Sequence, residues 1–193
     1  MTRHPAKVLA PAELRRVLAH VQSSRQPARN RAMMLLSFRA GLRAAEIAGL
    51  TWPMVLTGRG NVGTVVVVAP RIAKMRHGRR IPLHPDLRTA LRELHRQQGQ
   101  PRDGPVIRSE RGGALTARSV VNWFKAVYAA VGLDGCSSHS GRRTFITESA
   151  RLLPRAGGSL RDVQELAGHR ALSTTERYIE GDRDIQRKLV GLL

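Results

Sequence analysis

A histidine and a tyrosine nine residues apart carry the first chemical suggestion in this chain, within the stretch Leu-Ala-Gly-His-Arg-Ala-Leu-Ser-Thr-Thr-Glu-Arg-Tyr from Leu166 to Tyr178. Leu160, Val163 and Leu166 recur at helical spacing, Gly168 ends that pattern, and Ser173 or Thr174 can cap a second helix. His169 therefore falls on a tight connection between two helices. Tyr178 follows a polar run with only Ile179 as an apolar neighbour, whereas Tyr128 shares a helical stripe with Val120, Val121, Phe124, Val127 and Val131 and reads as packing. A tyrosine near a histidine in a very basic chain suggests a phenol acting on a phosphate. Taken alone, the pair fits more readily as a satisfied loop histidine and a half-buried aromatic anchor.

Other residues offer matching chemistry. Arg43 and Glu46, three apart at the start of a short helix, share a face, so the carboxylate can brace the guanidinium; an ordinary surface ion pair has the same spacing. His139 and Arg142 likewise share a face in His-Ser-Gly-Arg-Arg-Thr-Phe. Lys74 is expected at the tip of a hairpin, on the face of Ile72, where a lysine can act as an acid beside an anion or simply steer a backbone. Cys136 near His139 lacks a third orienting group, and a small buried thiol is the commoner role. No Gly-rich phosphate loop and no carboxylate cluster of metal-binding spacing is present, so neither cofactor nor metal is expected.

The elements that must position these groups are mainly helical. Apolar periodicity predicts helices over 11–21, 28–40, 85–98 and 116–131, a short one opening at Arg43, and an apolar terminal helix over 184–193. The β-branched run Thr64 to Val68, bounded by Gly63 and Pro70, predicts a buried strand, with two shorter strands over 71–74 and 79–83. The expected class is thus α+β, mainly helical with a small three-stranded antiparallel sheet. The Gly/Pro-rich stretch 99–113 separates similar helical patterns and does not divide domains, so residues 1–193 are expected to form a single domain.

Composition narrows the partners. A formal charge of +19 arises from 33 basic residues, 29 of them arginines, against 14 acidic ones. Arginine forks match phosphate oxygens in pairs, and so large a charge opposes compaction unless a polyanion neutralises it. Nucleic acid is the expected partner. One cysteine excludes a disulfide framework, Met1 to Pro11 has no apolar signal core, and the run Val65 to Ala69 is too short to span a bilayer. A soluble cytoplasmic, nucleoid-associated protein with no membrane contact is expected.

The order and spacing of these residues resemble the catalytic domain of the tyrosine recombinase, or phage integrase, family. The first family box is similar to Ala-Gly-Leu-Arg-Ala-Ala-Glu-Ile-Ala-Gly-Leu-Thr-Trp, Ala40 to Trp52, placing the first active-site arginine at Arg43 and its acidic support at Glu46. Lys74, eight residues before Pro82, corresponds to the family's hairpin lysine, His139 and Arg142 to its His-x-x-Arg pair, His169 to its Gly-His element and Tyr178 to its nucleophile. Gly141 departs from the pattern, standing where the family often has leucine. The resemblance starts near Lys7, so the family's N-terminal core-binding domain is expected to be absent.

The resemblance implies a DNA breaking-rejoining fold and a site-specific recombinase that joins Tyr178 to a 3′ phosphate without metal or ATP. Because an ordinary phenol of pKa about 10 is only about one part in a thousand ionised at neutral pH, such a nucleophile needs help. Arg43 and Arg142 would hold nonbridging oxygens, His139 would take the phenolic proton or donate to the phosphate, His169 would donate to the phosphate, and Lys74 would protonate the leaving oxygen. Double-stranded DNA, three further copies in a tetramer and an accessory protein are the implied partners, with the terminal helix docking between copies. The competing readings are a type IB topoisomerase-like relaxing enzyme and a non-catalytic or partner-dependent DNA-binding integrase remnant.

Overall fold

The computed structural model describes residues 6–74, 77–178 and 190–191, and within them eight α-helices and one strand pair run in the order α1 to α3, β1, β2, α4 to α8, with a single 3-10 turn, Trp52–Met54, between α3 and β1. Helix α1, Pro11–Gln22, starts on a proline, which lacks the N–H that a first turn leaves unpaired, and buries Leu14, Val17 and Val21. Helix α2, Pro27–Ala40, is apolar on nearly every side, and Ala32 to Leu36 are wholly buried. A helix of that kind can only be central. It is packed by α1, by α4 (Pro85–Gln97) and by α6 (Ser140–Ala156), while α3 (Ala44–Gly49) packs on α5 (Ala117–Ala130).

Strands β1, Val65–Val68, and β2, Arg79–Pro82, pair antiparallel with Val65 opposite Pro82 and Val68 opposite Arg79. The expected α+β class with a small antiparallel sheet stands, but its middle strand is corrected. Residues 71–74 form turns, with the amides of Ile72 and Ala73 donating to the carbonyls of Ala69 and Pro70. Pro70 removes a ladder donor just where pairing would continue, and local turn bonds take over. Among the described residues the sheet is two-stranded, and Leu56 and Val62 form an isolated antiparallel bridge outside it. The alternation that put Lys74 on the Ile72 face therefore does not apply.

The C-terminal third makes a smaller layer. Helix α7, Leu160–Ala167, and α8, Leu172–Glu176, pack with α6 around Ile146, Val163 and Ala167, and Tyr178 lies against this cluster. Gly168 (φ +64) closes α7 as expected, whereas α8 begins after Ala171 without a side-chain cap, not on Ser173 or Thr174. Tyr128 is buried with the main core, as its stripe implied. Among the described residues, no helix is long and apolar enough to cross a membrane. The expected terminal helix over 184–193 lies outside the described residues, apart from 190–191.

Candidate active site

Arg142 is the anchor of the site. Its side chain is almost fully buried at 3% exposure, one turn into α6. Nη1 donates to the Gly41 carbonyl at 2.7 Å, and Nη2 donates to the Ala167 carbonyl at 2.7 Å and to His169 Nε2 at 2.9 Å. Gly41 closes α2 and Ala167 is the last residue of α7, so both oxygens belong to helix C-termini, the negative ends of their dipoles. Burial, then the charges of Arg43 and Arg79, push the guanidinium below its usual range. It remains a cation at neutral pH.

Arg43 enters from the start of α3. Its backbone N–H donates to Glu46 Oε2 at 2.9 Å and Nη1 to Oε1 at 3.1 Å, the bracing that a three-residue spacing allows. Sequence reasoning missed the other half of this arrangement. Arg79, at the first position of β2, donates from Nη1 and Nη2 to both Glu46 oxygens at 2.8 and 2.9 Å, and from Nε to the Leu166 carbonyl at 2.9 Å. Burial raises the Glu46 carboxyl, but the hydrogen bonds and charge of Arg79, with Arg43 behind them, outweigh it and leave the group below the ordinary carboxylate range. Glu46, only 1% exposed, is thus an anion shared by two arginines, and its Arg43 pair is no surface bridge. The α3 start, the turn end of the hairpin and the approach to His169 meet at this carboxylate.

His169 sits directly after Gly168, and its imidazole is pushed down to about 4, by burial first and then by Arg142, Arg43 and Arg79. A neutral ring whose Nε2 accepts from Arg142 carries its proton on Nδ1, which donates to the buried hydroxyl of Thr175 at 3.0 Å. In this arrangement His169 orients Arg142, and it reaches an anion as a donor only after the ring leaves that bond. The Tyr178 ring stacks on His169 with centroids 5.6 Å apart and planes 23° from parallel. The Arg143 guanidinium lies 5.9 Å from the tyrosine centroid, and Thr147 Oγ1 donates to the Tyr178 carbonyl at 3.3 Å. Tyr178 is therefore half-buried and held from two sides, rather than free in a polar loop.

His139 is exposed at the start of α6, and burial of part of its ring, then Arg142, Arg43 and Lys74, lower its pKa. The neutral ring at neutral pH can accept a proton. Lys74 is exposed beside the hairpin tip, and its charge is felt at His139 without a hydrogen bond to any of the other five residues. Arg43, His139, Arg142, His169 and Tyr178 thus converge on one face and Lys74 stands at its margin. Cys136 is half-buried and its thiol is pushed up by burial, which suits packing and not nucleophilic attack. Among the described residues, no group of three His, Cys, Asp or Glu could hold a metal.

Two arginines, two neutral histidines and a restrained tyrosine thus lie together on a helical scaffold, groups of the types that can hold an anion beside a potential nucleophile. The lineage agrees: the phage integrase family model matches residues 7–184, and the chain belongs to that family. It is 33% identical over 162 residues to the tyrosine recombinase XerC of Nitrobacter winogradskyi, covering 78% of this chain and 45% of the relative. The XerC of Brucella suis biovar 1 is 33% identical over 186 residues, covering 89% and 54%. The chain spans about half the length of these curated relatives. Among solved structures, the Tn1549 transposon integrase in complex with transposon right end DNA superposes with a TM-score of 0.77 at 18% identity, over 100% of this chain and 67% of the other. The integrase from mycobacterium phage Brujita gives 0.57 at 28% identity, over 86% and 52%.

Proposed function

We propose that this chain is the catalytic domain of a site-specific DNA recombinase that cleaves and rejoins strands through a 3′-phosphotyrosine at Tyr178. The observation that carries the reading is the buried Arg142, a cation fixed by neutral acceptors at the same site as Arg43, His169 and Tyr178. Relatives named tyrosine recombinase XerC support it, as does a fold neighbour described as a XerH recombinase bound to difH substrate in a pre-cleavage complex.

In the proposed step the Tyr178 oxygen attacks the scissile phosphorus while His139 accepts the phenolic proton. The bond from phosphorus to the 5′ oxygen breaks, and Lys74 supplies the proton that makes it a hydroxyl. Arg43 and Arg142 hold the nonbridging oxygens as charge grows in the five-coordinate transition state, interactions worth about 3 to 4 kcal/mol each. The phosphotyrosine conserves the diester's energy, so a second 5′ hydroxyl reverses the step without ATP or metal. When that hydroxyl belongs to another duplex, strands are exchanged, and four copies on two DNA sites are the assembly that completes the exchange.

A covalent trap tests this reading. The protein is incubated with nicked duplexes from the DNA flanking its own gene, denatured in detergent, and examined for protein-linked DNA. Wild type is expected to form the adduct and Tyr178→Phe to form none. An adduct that survives in Tyr178→Phe, or its absence from wild type despite tight binding, overturns the assignment.

A further inference from the structure

Four arginines outside the site just described gather at the opposite end of the strand ladder. The rung Val68 to Arg79 faces the candidate active site, whereas the rung Val65 to Pro82 leads to the Thr57–Val62 turn on one side and the start of α4 on the other. Between that turn and α4 is a cavity of about 820 Å³. Arg59 lines it from the turn, Arg88, Arg92 and Arg96 line it from α4, and no carboxylate is among its lining residues.

The α4 arginines recur every four residues, so they stand on one face about 6 Å apart along the axis. That matches the separation of successive phosphates along a nucleic-acid strand, and the row is too long for a single small anion. Arg96 is held by Glu93 at 2.5 Å and is the least available of the three. Arg88 is different: its Nε is buried against the cavity wall without a hydrogen-bond partner among the described residues. A buried guanidinium N–H left unpaired costs stability, on the scale of a lost hydrogen bond to a charged group; this one is closed off even to water, so it is the exposed remainder of the Arg88 side chain that lines the cavity. The wall opposite is a tight turn, with the Gly60 amide donating to the Thr57 carbonyl, and Gly58 has open space where a side chain would stand. A backbone can approach it closely.

We propose that this cavity is a second nucleic-acid site, which takes the phosphate backbone of a duplex other than the one at Tyr178. Arg59, Arg88 and Arg92 grip that backbone, and the protein bridges two duplexes through opposite ends of one sheet. The proposal extends the recombinase reading but does not depend on tyrosine chemistry.

Bridging is measured by mixing the protein with an immobilised 20-bp duplex and a fluorescent one, and reading retention of the second against salt. Wild type is expected to retain it. The triple variant Arg59→Gln, Arg88→Gln, Arg92→Gln should retain at least about ten-fold less, with a salt slope shallower by about two to three, near 0.9 for each phosphate no longer neutralised. Its affinity for a single duplex, and its covalent adduct on nicked DNA, should stay within about two-fold of wild type. A double variant of the exposed Arg59 and Arg92 alone, expected to weaken bridging in the same direction, guards against misfolding at Arg88. Undiminished bridging in both variants overturns the proposal, as does a parallel loss of single-duplex binding. Displacement of the second duplex by polyglutamate as readily as by a duplex of equal charge also overturns it, in favour of an acidic protein partner. Failure of the covalent trap leaves this test standing, and failure here leaves the trap standing.

Discussion

Arg79 joins β2 to both Glu46 and the Leu166 carbonyl, so one side chain ties the turn end of the hairpin to the helix that begins at Arg43 and the helix that leads to His169. Removing it takes the two shortest ionic hydrogen bonds from a carboxylate that is 1% exposed and leaves Arg43 to neutralise it from one side. Arg79→Met should therefore cost about 3 kcal/mol in urea unfolding, the lower end for breaking a buried pair. Adding Glu46→Gln should recover part of that loss, and equal destabilisation of the single and double variants would refute the charge account. His169 makes a second residue-scale prediction. Its folded pKa of about 4 lies below the ordinary value of 6.5, so between those limits the unfolded chain binds a proton that the native protein refuses. The stability it contributes is complete above pH 6.5 and is lost as pH falls toward 4, by at most about 3 kcal/mol. Urea midpoints across that window should fall less steeply for His169→Asn than for wild type; identical slopes would exclude His169 as the cause. The Arg43–Glu46 pairing was legible because it is local. Arg79 was not, since nothing marks one of 29 arginines as the partner of a carboxylate 33 residues away.

Elements were legible wherever one period dominated, and α1, α2, α4 and α5 begin and end within about a turn of their apolar stripes. The failures lie where proline or close contact overrides local preference, as in the turns at 71–74. Gly141 is the clearest instance. As a departure from the family pattern it should cost about 1 kcal/mol of helix propensity and leave a packing contact unfilled. The structure reverses that reading: a Cβ at Gly141 would stand 2.3 Å from Ser37 Oγ and 2.8 Å from Phe38 Cδ2, so the space is already filled by α2 side chains that would have to shift. Gly141→Ala should destabilise the domain by about 1 to 3 kcal/mol by overpacking, despite the better helix former. Equal or higher thermal stability in calorimetry would show that the two helices separate without cost. Because Arg142 is the next residue, such a shift would also displace the anchor of the site.

At the scale of the molecule, the order and spacing of a few motif residues pointed correctly to the family, and the five residues that converge could be picked out as candidates by type and spacing. Their convergence could not be, because it depends on three chain reversals, at Gly41, at the hairpin and at Gly168. Gly168 shows how tightly these are fitted: it has φ +64, and a Cβ there would lie 2.9 Å from Arg79 Cδ. The reversals at Gly41 and Gly168 also present the carbonyls that hold Arg142, those of Gly41 and Ala167. A carboxylate in their place would have cancelled the guanidinium's charge outright, and any arriving phosphate would have had to compete with it. Helix ends supply only fractional charge, about half an electron each, and carbonyl oxygens cannot be displaced as counter-ions. The domain therefore folds with its neutralisation unfinished, and under the proposed function the scissile phosphate is the anion that completes it.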